Sequence, residues 1–198
     1  MPIRPENRGY ATPLTDILMP DEYRAVTTMR NTIGADPMRF YETWERIIAR
    51  YLCGTLTPAR HPWDIDMPTG PRVEVKFSHQ HHMAFRAGRR DVFRFASLRT
   101  AAESDVVVLV GLDPDDDAHL WVAPSSALPR GGSCTLLNPK RAVGDTRSRL
   151  ARYHVPFDAL IPACHEHHMQ TAARSRTAAL AAQMDPLFDI PQEAHRGA

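Results

Sequence analysis

With 198 residues the chain has the size of a single domain able to bury a proper core. Its hydrophobic fraction of 43% and charged fraction of 24% are those of a soluble globular protein, and no apolar run approaches the length of a membrane span. A net charge of +1 does not announce a nucleic-acid partner, so any basic surface has to come from how the charges are distributed.

Residues 1–20, rich in Pro, Gly and polar side chains, are expected to form an extended arm. A short helix is expected from Asp21 to about Thr32. A stronger one starts where Asp36 can cap a first turn opened by Pro37. Phe40, Trp44, Ile47, Ile48, Tyr51 and Leu52 then recur at helical spacing, with Glu42 and Glu45 flanking the stripe and Gly54 ending it. From Trp63 the period changes to two. Trp63–Met67 and Arg72–Ser78 alternate apolar with polar across the turn Pro68-Thr69-Gly70-Pro71, which predicts a hairpin. Val92–Leu98 reads as a third strand, and Asp105–Leu112, nearly all apolar, as a central strand covered on both faces.

The acidic loop Asp113–Asp117 is expected to be solvated, and His119–Ala123 returns as a strand ended by Ser125-Ser126. Arg147–Tyr153 and Pro162–Met184 read as helical, and residues 186–198 as a flexible tail. Helix, a run of strands, then helices predicts an α/β domain over residues 21–185, with a central mixed β-sheet flanked by helices.

Three cysteines, an odd number without a C-x-x-C pair, suggest neither a disulfide framework nor a zinc ribbon. The N-terminal sequence lacks the basic-then-apolar layout of a signal peptide, so a reducing, cytoplasmic compartment is expected. Arginines cluster at Arg86, Arg89, Arg90, Arg94 and Arg99, and again at Arg141, Arg147, Arg149 and Arg152. Such patches suit phosphate contacts or a solvated face. Of the 24 basic residues only Lys76 and Lys140 are lysines, which marks both as positions where arginine was not used.

The chemistry concentrates in the hairpin. Glu74 and Lys76 are two apart, so both side chains leave one face of the sheet while Val73, Val75 and Phe77 take the other. Asp64 and Asp66 share a face of the preceding strand, and a tight hairpin sets Asp64 beside Glu74 and Lys76. Carboxylates at such close quarters repel, and a divalent cation relieves the repulsion. Hard oxygen ligands suit Mg²⁺, which takes one or two carboxylates and completes its shell with water and phosphate oxygens. Lys76 would orient a water or neutralise charge developing on phosphorus. Alternating charge on a strand also describes a plain solvated face.

His61-Pro62-Trp63-Asp64-Ile65, the turn at Gly70, and Arg72-Val73-Glu74-Val75-Lys76-Phe77-Ser78 resemble the core motif of the PD-(D/E)xK nuclease superfamily. The resemblance implies a restriction-endonuclease-like core: a helix, a hairpin carrying metal ligands, a central sheet and flanking helices. It also implies metal ligation by Asp64 and Glu74 with the Val75 carbonyl as a third ligand, Lys76 as catalytic lysine, and Glu45 as the acid contributed by the first core helix. The cofactor implied is Mg²⁺, with Mn²⁺ as a substitute. The activity implied is endonucleolytic hydrolysis of DNA in restriction, defence or repair, with a homodimer as the simplest way to cut both strands. Phe77 departs from the serine that often follows the lysine, leaving Ser78 of that pair. If the strand continues, Gln80 shares the Glu74–Lys76 face and can orient substrate, with Arg89, Arg90 and Arg94 as candidate phosphate contacts.

Other strings compete less well. His79, His81 and His82, and Cys164, His165, His167 and His168, carry zinc-type ligands without the spacing of a standard site, so exposed histidines on a loop and a helix start are expected. The acidic loop lacks the ligand spacing of a calcium loop, and Ser125 and Ser126 lack a G-x-S-x-G setting. Two further functions stand beside the nuclease: a nucleic-acid-binding protein of the same fold without catalysis, and a zinc-stabilised regulatory protein.

Overall fold

The computed structural model describes residues 10–32, 37–85, 88–98, 100–129, 132–140 and 148–184. Nine strands and four helices carry the described fold: β1 (Thr12–Pro13), α1 (Leu14–Ile17), α2 (Pro20–Asn31), α3 (Pro37–Leu52), β2 (Thr55–Leu56), β3 (Ile65–Asp66), β4 (Arg72–Phe85), β5 (Gly88–Phe95), β6 (Val106–Leu112), β7 (Asp117–Pro124), β8 (Cys134–Leu137), β9 (His154–Val155) and α4 (Leu160–Met184). The sheet is mixed. Its path runs β1-β7-β6-β4-β3-β2, with β9 on β7, β5 on the far half of β4, and β8 on β5. Only β4 and β6 run parallel; the other pairs are antiparallel.

Strand β4 is the hinge of this arrangement. Residues 73–79 pair with β6, and residues 80–85 pair with β5 instead. The sheet therefore curls, and β5 with β8 folds back over one face of β6 and β7. Val107, Leu109, Trp121 and Ala123 pack there against Phe93, Phe95, Leu136 and Leu150. Gly111 permits the fold-back, since a Cβ at that position would stand 2.7–2.9 Å from three atoms of the Phe93 ring. On the opposite face Val73, Val75, Phe77, Val106, Val108 and Val110 meet Trp44, Ile47 and Ile48 of α3 and Leu160 and Cys164 of α4. All seven residues of β6 are buried, as its apolar sequence predicts for a strand covered twice.

Several expectations are corrected. From Tyr10 onward the N-terminal segment is no extended arm: β1 pairs with β7, and Leu14, Ile17 and Leu18 lie in the core. The histidines after Ser78 stand on β4, which runs to Phe85 rather than giving way to a loop. His79 is held between Phe40 and Phe77, each ring centroid 4.8 Å away. The acidic loop is only partly solvated. Asp113 is buried, with His119 Nε2 3.1 Å and Lys140 Nζ 2.9 Å from its carboxylate. Arg149–Tyr153 is helical as expected, in the 3-10 form. Asp36, Arg86, Arg99, Arg141, Arg147 and the tail from 186 lie outside the described residues.

Candidate active site

Asp64 is fixed by the backbone on both sides. Its N–H donates to the Val73 carbonyl (3.0 Å), and its carbonyl accepts from the Thr57 N–H (2.9 Å). Ile65 pairs with Val73, so one step further along the antiparallel register Asp64 faces Glu74. The Val75 N–H donates to Asp64 Oδ2 at 2.7 Å, which turns the carboxylate toward β4. Beyond Asp64, β3 no longer covers that edge, and β5 does not join until Gln80. The stretch Val75–His79 thus has an open edge between two strands, and the Val75 carbonyl, on the same side as its N–H, points to it.

Glu74 and Lys76 leave the sheet face opposite to Val73, Val75 and Phe77. Glu74 is 3% exposed, and the Lys76 ammonium donates to its Oε1. The Glu74 carboxyl lies within hydrogen-bonding reach of Asp64. The fourth member comes from α3. Trp44 and Phe40 stack on Phe77, at 5.5 and 5.2 Å between centroids, and this packing sets the rotation of the helix that carries half-buried Glu45. Gly54 lets α3 end close to β3, because a Cβ there would meet Ile65 Cγ2 at 2.5 Å and the Asp66 carbonyl oxygen at 3.0 Å.

The electrostatics show how near the groups are. Burial, helped by the charges of Asp64 and Glu74 and opposed by Lys76, pushes the Glu45 carboxyl up to about 7. Burial also raises Asp64, opposed by the Val75 N–H and by Lys76. Asp64, Glu74 and Lys76 are therefore brought to one place, and Glu45 lies near enough to feel their charges.

The other candidate residues are not. Asp66 is exposed and accepts from Trp63 Nε1 at 2.8 Å. Ser78, a candidate substrate contact, is buried, and its hydroxyl is used within the protein. It donates to the His79 carbonyl and accepts from the Arg94 N–H, both at 2.9 Å, pinning the point where β5 leaves β4. Arg89, Arg90 and Arg94 lie on β5, with Arg89 and Arg90 opposite Ala84 and Met83 at the far end of the hairpin. Arg89 and Arg90 therefore lie away from the carboxylates, whereas the Arg94 backbone stays beside Ser78.

Gln80 does sit on β4 next to the open edge, and a neighbour that sequence reasoning missed orients it. Asn138 is fully buried; its Oδ1 accepts from the Lys140 N–H at 2.9 Å, and its Nδ2 donates to Gln80 Oε1. A backbone N–H can only donate, so the Asn138 amide can face only one way, and Gln80 is left with its Nε2 as the remaining donor. That nitrogen is buried and has no hydrogen-bond partner among the described residues. Nothing in the sequence marked Asn138, because its role depends on β8 lying beside β5.

Among the described residues no group of three or more His, Cys, Asp or Glu side chains is arranged to hold a metal ion. His165 meets Thr69, His167 meets Tyr153, and burial pushes the Cys164 thiol up to about 12. A Mg²⁺ ion needs fewer protein ligands than such a group. Asp64, Glu74 and the Val75 carbonyl supply hard oxygens on rigid backbone, and burial holds the Asp64 and Glu45 carboxyls above their usual range. The donor set fits a hard divalent cation.

No family profile matches the chain, and no curated protein matches it. Among the described residues no helix is long and apolar enough to cross a membrane.

Proposed function

We propose that the chain is a Mg²⁺-dependent endonuclease that hydrolyses DNA phosphodiester bonds, built on a restriction-endonuclease-like core of the PD-(D/E)xK type. One observation carries the reading. Asp64 faces Glu74 across the β3–β4 register at an open strand edge, and Lys76 and Glu45 converge on the same pair.

Asp64, Glu74 and the Val75 carbonyl would hold the ion. Bound there, Mg²⁺ supplies Lewis acidity, polarising a phosphate and making water a better nucleophile near neutral pH. Lys76 is a compact cation on the sheet face of Glu74, suited to holding a water oxygen or offsetting negative charge that grows on phosphorus. Glu45, with a carboxyl near 7, can hold or take up the proton that an attacking water loses. Val75 positions Asp64 through its N–H, so the ligand does not depend on a flexible side chain finding its own place. Restriction, defence and repair are all compatible with such a domain, and a homodimer would bring two sites to the two strands of a duplex.

Incubation of purified protein with supercoiled plasmid in Mg²⁺, Mn²⁺ or EDTA tests the proposal. Nicking or linearisation with either metal and none with EDTA is expected, with loss of cleavage in Lys76→Ala and Asp64→Asn. Metal-dependent cleavage that survives both substitutions would show that the site is elsewhere. No cleavage of any DNA or RNA would leave a binding protein of the same architecture.

A further inference from the structure

The strand that carries Glu74 and Lys76 does not end at the site. It runs on to Phe85, pairing with β5 from Gln80 opposite Phe93 to Phe85 opposite Gly88. β6 leaves β4 at His79, and β8 pairs with β5 from Val92, with the Asn138 N–H on the Asp91 carbonyl (2.9 Å) as the last bond on that edge. Residues 81–85 and 88–91 therefore form a two-stranded ribbon with no third strand on either edge among the described residues. A lone ribbon is marginal by itself, so one that projects from a well-packed sheet asks for a partner.

Its side chains have little place in either core. His81, His82, Ala84, Phe85 and Arg89 are exposed, Phe85 to 43%. The Arg90 guanidinium stands 6.0 Å above the Phe85 ring. Asp91, the ribbon's one acid, is engaged by His82 Nδ1. What is presented outward is cationic with an aromatic near its end. The outline also matters: the DNA major groove admits a two-stranded β-ribbon. Lys76 and Met83 are seven positions apart on one strand, about 23 Å at ordinary strand rise and less than one turn of duplex.

We propose that the ribbon of residues 81–85 and 88–91 grips duplex DNA by its major groove. Arg89 and Arg90 lie on phosphates, and Phe85 packs against the groove floor. The proposal rests on the nuclease reading for its choice of partner. It adds that the open edge at Val75–His79 and the ribbon engage one and the same duplex, with β4 as a ruler between scissile phosphate and grip.

Fluorescence anisotropy on a labelled mixed-sequence duplex, in Ca²⁺ and over a range of salt, separates this proposal from the reading beneath it. The proteins are wild type, Lys76→Ala, the double variant Arg89→Ala/Arg90→Ala, and Phe85→Ala, each also run on plasmid cleavage and size exclusion. The double variant is expected to bind about tenfold or more weaker at low salt, with the slope of log affinity against log salt shallower by about two. Phe85→Ala is expected to weaken binding less and to leave that slope unchanged, while Lys76→Ala binds with the ribbon intact. Cleavage by all ribbon variants at wild-type affinity would overturn the grip and leave the nuclease standing. Ribbon-dependent binding with no cleavage in Mg²⁺ would do the reverse. Absence of duplex binding by wild type would overturn both. Ribbon variants that keep their affinity but run as monomers where wild type runs as a dimer would assign the ribbon to a second copy of the chain instead.

Discussion

Lys76 and Lys140 are the chain's two lysines, and each faces three carboxylates. Around Lys140 stand Asp113, Asp115 and Asp117. Burial would raise Asp113, but His119 and Lys140 donate to it, as do the N–H groups of Asp115 (2.9 Å) and Asp117 (3.1 Å). Together these hold its carboxyl well below the usual range. Around Lys76 stand Glu74, Asp64 and Glu45, and there burial prevails: Glu45, with repulsion from Asp64 and Glu74 added, reaches about 7, and Asp64 is raised against the pull of the Val75 N–H, Lys76 and Glu74. The two clusters have almost the same composition and opposite electrostatics. The first has donors enough to satisfy its anions and ties the β6–β7 turn to the segment after β8. In the second, burial outweighs the donors, a shortage of stabilisation that a proton or a cation relieves. That shortage, more than the presence of charge, distinguishes a candidate site from a structural ion cluster.

Exchanging the damage between the two clusters is the sharpest way to break the comparison. Lys76→Ala and Asp64→Asn are expected to lower metal-dependent cleavage at least about a thousandfold while the protein stays folded. Asp113→Ala, which takes one carboxylate from Lys140 and the Nε2 partner from buried His119, is expected to cost about 3 kcal/mol of unfolding free energy, the scale for breaking a buried ion pair. Cleavage per folded molecule should then be unchanged. Chemical denaturation alongside plasmid assays reads both effects. If Asp113→Ala abolished cleavage without destabilising the chain, the roles assigned to the two lysine clusters would be exchanged.

The same contrast predicts a two-sided dependence of stability on pH in metal-free protein. Glu45 has its folded value raised from 4.5 to about 7, so its contribution is fully present below 4.5 and is lost as pH rises through about 7. Asp113 is depressed from 3.8, so its contribution is present above 3.8 and is lost as pH falls through its low folded value. Glu45→Gln is expected to flatten the neutral limb of a melting-temperature profile and leave the acid limb in place. Mg²⁺ added at pH 8 should raise the melting temperature of wild type, by an amount worth about 1.4 kcal/mol at ten times its dissociation constant. Asp64→Asn should lose that gain. A profile whose neutral limb is unchanged in Glu45→Gln would detach Glu45 from the cluster.

The pieces of this contrast were unequally legible in the sequence. Helix α3, the Asp64/Glu74/Lys76 hairpin and the doubly covered β6 follow from local periodicity, and the architecture agrees with an α/β chain containing a mixed sheet. The length of β4 did not follow. After Ser78 both faces become polar, because the strand leaves one sheet partner for another and half its surface meets solvent, so the apolar alternation fades while the backbone pairing continues. The Asp113 cluster was misjudged for a related reason. Four aspartates in five residues read as a solvated turn, whereas His119 and Lys140 reach the first of them from one strand later and from beyond β8. Ser78 was misassigned because a hydroxyl on the right strand looks available until the Arg94 N–H is found on it.

The smallest expected effect concerns Gln80, which lies between the two clusters and is oriented by Asn138, two residues before Lys140. Asn138→Asp preserves shape and the acceptor for the Lys140 N–H, but the new side chain has only oxygens when ionised. Gln80 would then satisfy it by turning its amide around, donating through Nε2 and presenting Oε1 where a donor had been. A substrate acceptor that reaches this buried position would meet an oxygen instead of an N–H. The expected result is a severalfold rise in KM for plasmid or duplex with kcat nearly unchanged, since Lys76 and the carboxylates are untouched. Gln80→Glu should give the same rise by removing the donor directly, and combining it with Asn138→Asp should add little beyond either change alone, because both act on one amide. Additive effects, or a fall in kcat alone, would place Asn138 in the support of the β4–β8 packing and remove Gln80 from substrate contact.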